Sequence, residues 1–371
     1  SDRARRGAMM AVLRCDHPDI EAFIDAKREG GRLSHFNLSV LVTDDFVRAV
    51  DTGADWPLKF RGETVRVLKA AELWERLIRA SYESGEPGVL FIDRINDENN
   101  LGYAEQIFAA NPCGEVPLPP YGACDLGSVN LTRIVKRPFA SDAELDFDTL
   151  AATVHTAVRF LDNVLDASHY PLAQQAVQAA ESRRIGLGVT GLADALIMLG
   201  ISYGSVQGRE LAGRVLETLR DEAYRASITL AQEKGSFPAL QTTDFLARPF
   251  IRRLPEALRD GIRTKGIRNS HLLALAPTGS ISLLAGNVST GIEPCFAGSV
   301  QRLIRRGIEA AMTCFPRLLP PQANSPRTTT LRCRLRHRAS WTMPSQKQSM
   351  CRQAFRSRHS GMSTARHTNW G

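Results

Sequence analysis

Three side chains with complementary chemistry alternate along a short segment of the chain. Asn111, Cys113 and Glu115 supply an amide, a thiol and a carboxylate. In an extended segment, alternate side chains point the same way, so the three groups would share one side. A neighbouring carboxylate raises the pKa of a thiol and disfavours thiolate chemistry. The pattern therefore favours chemistry of the neutral S–H group, with Glu115 as a proton acceptor and Asn111 as a hydroxyl-binding group.

Prolines and a second thiol follow this segment. Pro117, Pro119 and Pro120 would stiffen the loop, and Cys124 comes shortly afterwards. The same residues are equally compatible with a proline-rich surface loop that holds a packed cysteine. The chain has seven cysteines, no C-x-x-C motif and no zinc-like spacing. We therefore predict neither a metal site nor a secreted disulfide scaffold.

The segment at residues 277–281 is typical of a phosphate-binding turn. It follows an apolar run and precedes a predicted helix. Backbone N–H groups at a helix start bind phosphate, and the helix dipole favours the negative charge. Hydroxyl donors and a glycine that admits a close ligand would come from the residues of the turn, which are Pro277, Thr278, Gly279, Ser280 and Ile281. A simple strand-to-helix turn is the alternative.

Alternating strands and helices must position these groups. Strands are expected at residues 7–14, 36–42, 88–92 and 272–276. Helices are expected at residues 20–26, from Asp44 onwards, and at 70–83, 145–168 and 207–234. Asp16 is a candidate N-cap of the first helix, with Pro18 at an early helical position. This order predicts an α/β fold with a parallel sheet, open or closed.

The net charge of +8 resides in the C-terminal tail. Residues 301–371 hold 14 Lys and Arg against one acidic residue, which leaves residues 1–300 with 33 basic and 38 acidic groups. The tail has little apolar surface to bury, so we predict a folded domain at residues 1–298 and a disordered basic tail at 299–371. No apolar run approaches the roughly 20 residues of a membrane helix, and the N-terminus has no signal core. A cytoplasmic protein without membrane contact is expected.

Gly186, Gly188 and Gly191 spell the fingerprint of a dinucleotide-binding turn. That fingerprint requires a buried strand immediately before it. The preceding residues 180–184 are polar and charged, so we expect the glycines to allow close helix packing rather than to bind NAD.

With its flanking residues, the segment around Cys113 resembles a known enzyme family. Residues 111–132, which run from Asn-Pro-Cys-Gly-Glu through Pro-Pro-Tyr-Gly-Ala-Cys to Asn-Leu-Thr, look like the finger loop of adenosylcobalamin-dependent (class II) ribonucleotide reductases. Residues 5–27, 183–200 and 268–296 resemble further family signatures. The resemblance covers residues 5–297. It implies part of a closed α/β barrel of about ten strands, incomplete at its N-terminus, with the finger loop inside.

The resemblance implies a role for each matching residue. Cys113 would carry the thiyl radical that removes the substrate 3′ hydrogen, Glu115 would take the 3′-OH proton, and Asn111 would bind ribose hydroxyls. Cys124 would be one of two redox-active thiols that form a disulfide as the 2′-OH leaves as water. Substrate contacts are implied at Asn111, Pro112, Cys113, Gly114, Glu115, Pro277, Thr278, Gly279, Ser280 and Ile281.

The same resemblance implies the cofactor and the partners. The enzyme would use adenosylcobalamin, a ribonucleotide substrate, a nucleotide effector and a thioredoxin- or glutaredoxin-type reductant, and its full-length parent would be a homodimer. A loop that couples the effector to substrate base choice is implied at Arg28, Gly30, Gly31 and Arg32. The thiol that pairs with Cys124 would lie upstream of Ser1. Diphosphate and triphosphate substrates both remain open.

The tail departs from the family pattern. Residues 329–334 and 339–351 can be back-translated into codons that, displaced by one nucleotide, encode words typical of the family. We therefore hypothesise a frameshift near residues 298–306 and expect no reductase activity from the 371-residue chain alone. Two alternatives stand beside this interpretation. One is the catalytic subunit of a two-subunit, metal-radical (class I) reductase, and the other is a basic nucleic-acid-binding protein, although no DNA partner is expected.

Overall fold

The computed structural model describes residues 7–28 and 33–295, together with the backbone of residues 299–304 and 308–313. Backbone contacts divide the chain into two compact units. The described residues of the first unit lie within Ser1–Asn99 and Gln106–Pro120, and those of the second within Asn100–Glu105 and Tyr121–Ala339. Cys113 therefore belongs to the first unit, and Cys124 and the turn at 277–281 belong to the second.

The strands form one three-stranded sheet and several strand pairs. They are β1 (Met9–Arg14), β2 (Phe36–Val42), β3 (Asp55–Phe60), β4 (Glu63–Lys69), β5 (Gly88–Phe91), β6 (Ala109–Ala110), β7 (Pro117–Leu118), β8 (Asp125–Asn130), β9 (Val135–Lys136), β10 (Glu144–Leu145), β11 (Ile185–Thr190), β12 (Ser299–Ile304) and β13 (Ile308–Thr313). The parallel sheet has the order β1–β2–β5, and β8 pairs with β11 in parallel. The pairs β3–β4, β6–β7, β9–β10 and β12–β13 are antiparallel.

Three of the described helices begin at a residue whose side chain caps them. The described helices are α1 (Ile20–Asp25), α2 (Asp44–Thr52), α3 (Ala70–Ser84), α4 (Ile92–Asp97), α5 (Phe147–Ala167), α6 (Ala173–Ser182), α7 (Leu192–Met198), α8 (Val206–Lys234), α9 (Thr242–Ala247), α10 (Pro249–Arg252), α11 (Glu256–Lys265) and α12 (Gly279–Leu284), with a 3-10 turn at Leu131–Arg133. Thr43, Asp146 and Ser205 accept N–H hydrogen bonds at the starts of α2, α5 and α8. Such caps satisfy amides that have no partner within the helix.

In the first unit, β2 presents two different faces. Val40 and Val42 pack into a core that α1, α2 and α3 cover, with Phe46 at its centre. Leu41 points the other way and packs with Leu90 and Ala110, the last residue of β6. This second face of β2 is the one that supports the hairpin of β6 and β7.

In the second unit, the core forms where α5 and α8 pack on β11. Apolar residues recur at helical spacing on both helices, and β11 is buried along its whole length. The members at the centre of this core are Val154, Val158, Leu161, Leu219, Ala223, Ile185, Leu187 and Val189.

Asp162 of α5 is a buried carboxylate surrounded by donors of the second unit. It accepts hydrogen bonds from Arg183 Nε at 2.9 Å, Asn269 Nδ2 at 3.1 Å and Lys234 Nζ at 3.1 Å, and Arg268 Nε lies 3.4 Å from Oδ2. Burial alone would raise the pKa of Asp162, but these hydrogen bonds and positive charges outweigh it and lower the pKa. The Asp162 cluster, as we name these five residues, joins α5, α8 and the two segments that flank them in the core.

The structure confirms the predicted β2, α2, α3, α5 and α8, and corrects two details. The first helix starts at Ile20, and the carboxylate of Asp16 receives hydrogen bonds from Arg14 instead of capping that helix. The predicted strand at 272–276 is reduced to one parallel bridge between Leu273 and Leu187, in which Leu187 N–H donates to Leu272 O and Ala274 N–H donates to Leu187 O.

The predicted fold class holds in its coarser form, a mixed helix and strand domain with parallel sheets. No closed barrel is formed by the residues that the structure describes, whose parallel sheets contain three and two strands. Beyond residue 295 only the backbone of β12 and β13 is described, so the basic tail, the boundary at 298 and the frameshift stay predictions. None of the described helices is long and apolar enough to cross a membrane.

Candidate active site

The first part of the finger loop, residues 111–116, connects the two strands of the β6–β7 hairpin. Ala109 pairs with Leu118 and Ala110 with Pro117. The loop is closed by hydrogen bonds to both backbone and side chain of Asn111. Asn111 N–H donates to Val116 O at 3.0 Å, and Val116 N–H donates to Asn111 Oδ1 at 2.9 Å.

This geometry corrects the expectation of an extended loop. Gly114 N–H donates to Asn111 O at 2.9 Å, and Gly114 has a φ of 84°, in the left-handed region that favours glycine. The segment is therefore a tight turn, so strand alternation does not describe how the side chains of Asn111, Cys113 and Glu115 are arranged. The side-chain oxygen of Asn111, Oδ1, accepts a hydrogen bond inside the loop. The side-chain nitrogen, Nδ2, is therefore the group that can donate to a ligand hydroxyl.

Cys113 and Glu115 differ in exposure. The Cys113 side chain is exposed, whereas Glu115 is half-buried and its Oε2 has no hydrogen-bond partner among the described residues. A buried carboxylate oxygen without a donor costs free energy, which a ligand hydroxyl would recover. The loop thus offers a thiol that a ligand can reach and a carboxylate oxygen that can accept a proton or a hydrogen bond.

Two asparagines that the sequence analysis did not single out hold the hairpin in the first unit. Asn37 Nδ2 of β2 donates to the carbonyl oxygen of Pro112. Asn96 Nδ2 of α4 donates to Ile107 O at 3.0 Å, while Ile107 N–H donates to Asn96 Oδ1 at 2.8 Å. Neither asparagine lies in a recognisable motif, so only the folded chain identifies them.

Cys124 directly precedes β8 in the second unit and is half-buried. A methyl group added at Gly186 of β11 would come within 3.3 Å of Cys124 Sγ and 2.8 Å of Ala274 Cβ. Glycine at position 186 therefore leaves space beside the thiol. The described cysteines, Cys15, Cys113, Cys124 and Cys295, form no disulfide.

Asp125, next to Cys124, is a functional candidate that sequence analysis missed. Burial raises the pKa of its carboxyl, and within the described chain its Oδ2 is buried without a hydrogen-bond partner. A carboxyl group with a raised pKa can hold a proton near neutral pH more readily than an ordinary one. Adjacency to a redox-candidate thiol was the only signal in the sequence.

The predicted phosphate-binding turn lies at the start of α12. Thr278 has a φ of 52°, and its buried hydroxyl accepts from Gly291 N–H at 2.7 Å and contacts Thr190 Oγ1 at 3.0 Å. That hydroxyl therefore holds the turn in place and is not exposed to a ligand. Gly279 has open space where a Cβ would stand, and Ser280 is exposed, so these two residues keep the features predicted for ligand contact.

The segment after α12 is fastened to the corner between β11 and α7. Thr190 Oγ1 donates to Ser289 O at 2.9 Å, and Gly191 N–H donates to the same oxygen at 2.8 Å. Ser289 N–H donates to Asp194 Oδ2 at 2.5 Å, and the Cys295 thiol lies 3.5 Å from Asp194 Oδ1. Burial raises the pKa of Asp194. These contacts make the turn at 277–281 part of a rigid corner in the second unit.

The predicted coupling loop is described at only one of its four residues. Arg28 Nη2 forms an ion pair with Glu83 at 2.8 Å, and its Nη1 lies 3.3 Å from Asp25. Gly30, Gly31 and Arg32 lie outside the described residues. Effector contacts therefore stay a prediction.

Two glycines of the apparent dinucleotide fingerprint, Gly186 and Gly188, lie within β11, where a dinucleotide-binding loop would need a turn, and Gly191 follows the strand as the residue before α7. A Cβ at Gly188 would stand 2.2 Å from Ala274 O, so glycine permits the close approach of a neighbouring backbone segment. The expectation of close helix packing was wrong for Gly186 and Gly188, since the neighbour is an extended segment. In the described ranges 7–28 and 33–295, no group of three or more His, Cys, Asp or Glu side chains could hold a metal ion.

Comparison with known proteins agrees with the resemblance at the finger loop. Residues 1–325 match the family model of the ribonucleotide reductase barrel domain. The chain is 43% identical over 318 residues to a vitamin B12-dependent ribonucleoside-diphosphate reductase of Mycobacterium tuberculosis (strain CDC 1551 / Oshkosh), which covers 85% of this chain and 43% of the relative. A reductase of the same name from Thermoplasma acidophilum is 40% identical over 309 residues, covering 82% of this chain and 38% of the relative.

A more distant relative is named a large subunit, and its name does not mention vitamin B12. The ribonucleoside-diphosphate reductase large subunit of Variola virus is 28% identical over 341 residues, covering 82% of this chain and 44% of the relative. The chain thus spans less than half the length of the curated relatives it matches. The family match extends over most of the chain and includes the finger loop, so the chain belongs to the ribonucleotide reductase barrel domain family.

Proposed function

We propose that this chain is the catalytic part of an adenosylcobalamin-dependent reductase that converts ribonucleoside diphosphates to 2′-deoxyribonucleoside diphosphates. The observation that carries the proposal is the finger loop, with an exposed Cys113 thiol and a Glu115 oxygen that lacks a donor among the described residues. The names of the mycobacterial and Thermoplasma relatives support both vitamin B12 and diphosphate substrates.

The finger loop would start the reaction at the ribose. A Cys113 thiyl radical would take the hydrogen atom from C3′ and become a thiol. Glu115 Oε2 would accept the 3′-OH proton, which makes loss of the neighbouring 2′-OH as water easier because negative charge develops on the 3′ oxygen. The Asn111 amide nitrogen would donate to a ribose hydroxyl and hold the sugar in that orientation.

Two thiols would supply the electrons. Cys124 and a second cysteine would each lose a hydrogen atom and form a disulfide, while the 2′ carbon gains hydrogen and the 2′ oxygen leaves as water. Cys113 would then return its hydrogen atom to C3′ and regain the radical, and Glu115 would return the proton to the 3′ oxygen. A thioredoxin- or glutaredoxin-type protein would reduce the disulfide for the next turnover.

The diphosphate would bind at residues 277–281. The start of α12 would present backbone N–H groups to a phosphate, and the open side of Gly279 allows the phosphate to approach them. The exposed Ser280 hydroxyl would add a donor. Thr278 would hold the turn through its bond to Gly291 N–H.

The exposure of Cys113 fits a cofactor that acts on the thiol from outside the loop. Adenosylcobalamin, when bound, supplies an organic radical by homolysis of its cobalt–carbon bond. We assign no described residue to the corrin ring. We further propose a nucleotide effector acting near Arg28, a homodimer and a cytoplasmic location for the complete enzyme.

A chimera tests the proposal. The 318 residues of the mycobacterial relative that match this chain are replaced by the matching residues of this chain, and formation of deoxyribonucleoside diphosphate is measured with adenosylcobalamin and a dithiol. Turnover that depends on adenosylcobalamin is expected, and Cys113→Ser should abolish it without a change in melting temperature. Cys15→Ser is the control. Cys15 is buried in the core that α1, α2 and α3 cover, so its replacement should leave turnover unchanged.

Three outcomes would contradict the proposal, and the first is a folded chimera without turnover. Turnover that persists in Cys113→Ser would remove the assigned radical site. Turnover that ignores adenosylcobalamin and requires a second, metal-containing subunit would favour the class to which the name of the Variola relative, a large subunit, points.

A further inference from the structure

Asn37 of β2 reaches the finger loop from the sheet on which the hairpin packs. Alternate residues of a strand share a face, so Asn37 and Leu41 lie on the same side of β2. Leu41 packs with Ala110 at the end of β6, and Asn37 Nδ2 donates to Pro112 O. The hairpin therefore packs on the face of the sheet to which Asn37 and Leu41 belong, and Asn37 bonds to its turn.

The Asn37 hydrogen bond acts at the peptide unit that precedes Cys113. The carbonyl of Pro112 is coplanar with the nitrogen of Cys113, so fixing that oxygen fixes the plane from which the Cys113 side chain departs. Proline restricts its own φ on one side, and Gly114 turns the chain on the other. The orientation of this peptide plane thus constrains where the Cys113 side chain leaves the backbone.

The base of the hairpin is held separately. Both polar groups of the Asn96 side chain bond to the backbone of Ile107, at 2.8 and 3.0 Å. The Asn96 side chain thereby makes the two hydrogen bonds to Ile107 that the backbone of a neighbouring strand would make. Because Asn96 and Asn37 hold different parts of the hairpin, their effects can be separated by experiment.

We propose that Asn37 is a positioning residue that holds the Cys113 turn against β2; its catalytic meaning rests on the proposed function. Leucine has nearly the shape of asparagine but donates no hydrogen bond, so Asn37→Leu releases the Pro112 carbonyl and leaves β2 intact. The thiol then occupies several orientations. Displacement of a reacting group by about 1 Å can cost on the order of 100-fold in rate.

Amide exchange in the 371-residue chain tests the tether without requiring turnover. In Asn37→Leu, the amides of Gly114 and Val116 should exchange about tenfold faster, as expected for the loss of one hydrogen bond. Asn37→Gln keeps the donor and should restore protection. Asn96→Leu is the matched control, which should expose the Ile107 amide and leave Gly114 protected.

The kinetic arm uses the chimera described above. Asn37→Leu should lower kcat at least about tenfold with KM within about twofold, and Asn37→Gln should recover most of kcat. Unchanged exchange at Gly114, or faster exchange with unchanged kcat, would overturn the proposal. If the parent chimera shows no turnover, the proposed function fails, and the exchange result alone decides whether Asn37 holds the loop.

Discussion

Replacing Asp162 by alanine removes the centre of the Asp162 cluster. The substitution removes the carboxylate that accepts hydrogen bonds from Arg183, Lys234 and Asn269, whose nitrogen atoms lie 2.9 to 3.1 Å from its oxygen atoms. Two positively charged side chains and one amide then lose this acceptor. Removing one partner of a buried charge pair costs about 3–5 kcal/mol, because the remaining charge stays buried. For a unit of roughly 200 residues this corresponds to a fall in melting temperature of about 10 °C.

Urea unfolding followed by circular dichroism at 222 nm measures this effect, since the cluster joins the two longest helices. Asp166→Ala is the matched control. Asp166 bonds to the same Arg183 at 2.7 Å, but its side chain is 52% exposed. We expect a cost of at most about 1 kcal/mol there. Equal losses of stability in the two variants would refute the reasoning that burial of the carboxylate makes the difference.

The pH dependence follows from the same contacts. The pKa of Asp162 is lower in the folded state than in the unfolded state, so its stabilisation is complete above the unfolded pKa of about 3.9. It is lost as the pH falls through the folded pKa. Asp162→Asn should therefore flatten the dependence of unfolding free energy on pH below about 4.

Two further outcomes are expected. Gly188→Ala should destabilise by about 1–3 kcal/mol, because the new Cβ would stand 2.2 Å from Ala274 O, whereas Gly213→Ala in α8, with nothing within 4 Å, should be neutral or stabilising in urea unfolding. Iodoacetamide at pH 8 should label Cys113 at least about 100-fold faster than Cys15, since burial raises the pKa of Cys15 to about 11 and shields it. Comparable labelling of the two thiols, measured by peptide mass spectrometry, would contradict the buried position of Cys15.

Local sequence signals located the long helices. The apolar periodicity at 145–168 and 207–234 predicted α5 and α8 to within two residues, because a long amphipathic helix repeats its signal over several turns. The finger loop was identified by its resemblance to a family segment, and the roles of its side chains stay predictions. Its shape was wrong in the prediction because one glycine, Gly114, and the side-chain bond of Asn111 override an extended conformation.

Long-range contacts explain what the sequence did not reveal. Asn37 bonds to Pro112 across 75 positions, and Asp162 bonds to Asn269 across 107. An asparagine in a strand or an aspartate in an amphipathic helix carries no local sign of such a partner. The apolar run at 272–276 predicted a strand where the structure has one isolated bridge, because an apolar sequence alone does not create a ladder of backbone hydrogen bonds.

The Asp162 cluster has a further consequence, for the rates at which the second unit folds and unfolds. Its contacts close loops of 21, 72 and 107 residues. Loop closure costs about 0.6 kcal/mol for each doubling of length, so the longest of these contacts costs roughly 1.4 kcal/mol more than the shortest. We expect the cluster to assemble after the transition state for folding. Asp162→Ala should then leave the refolding rate nearly unchanged and accelerate unfolding by about 100-fold or more. The cluster therefore slows the unfolding of the second unit.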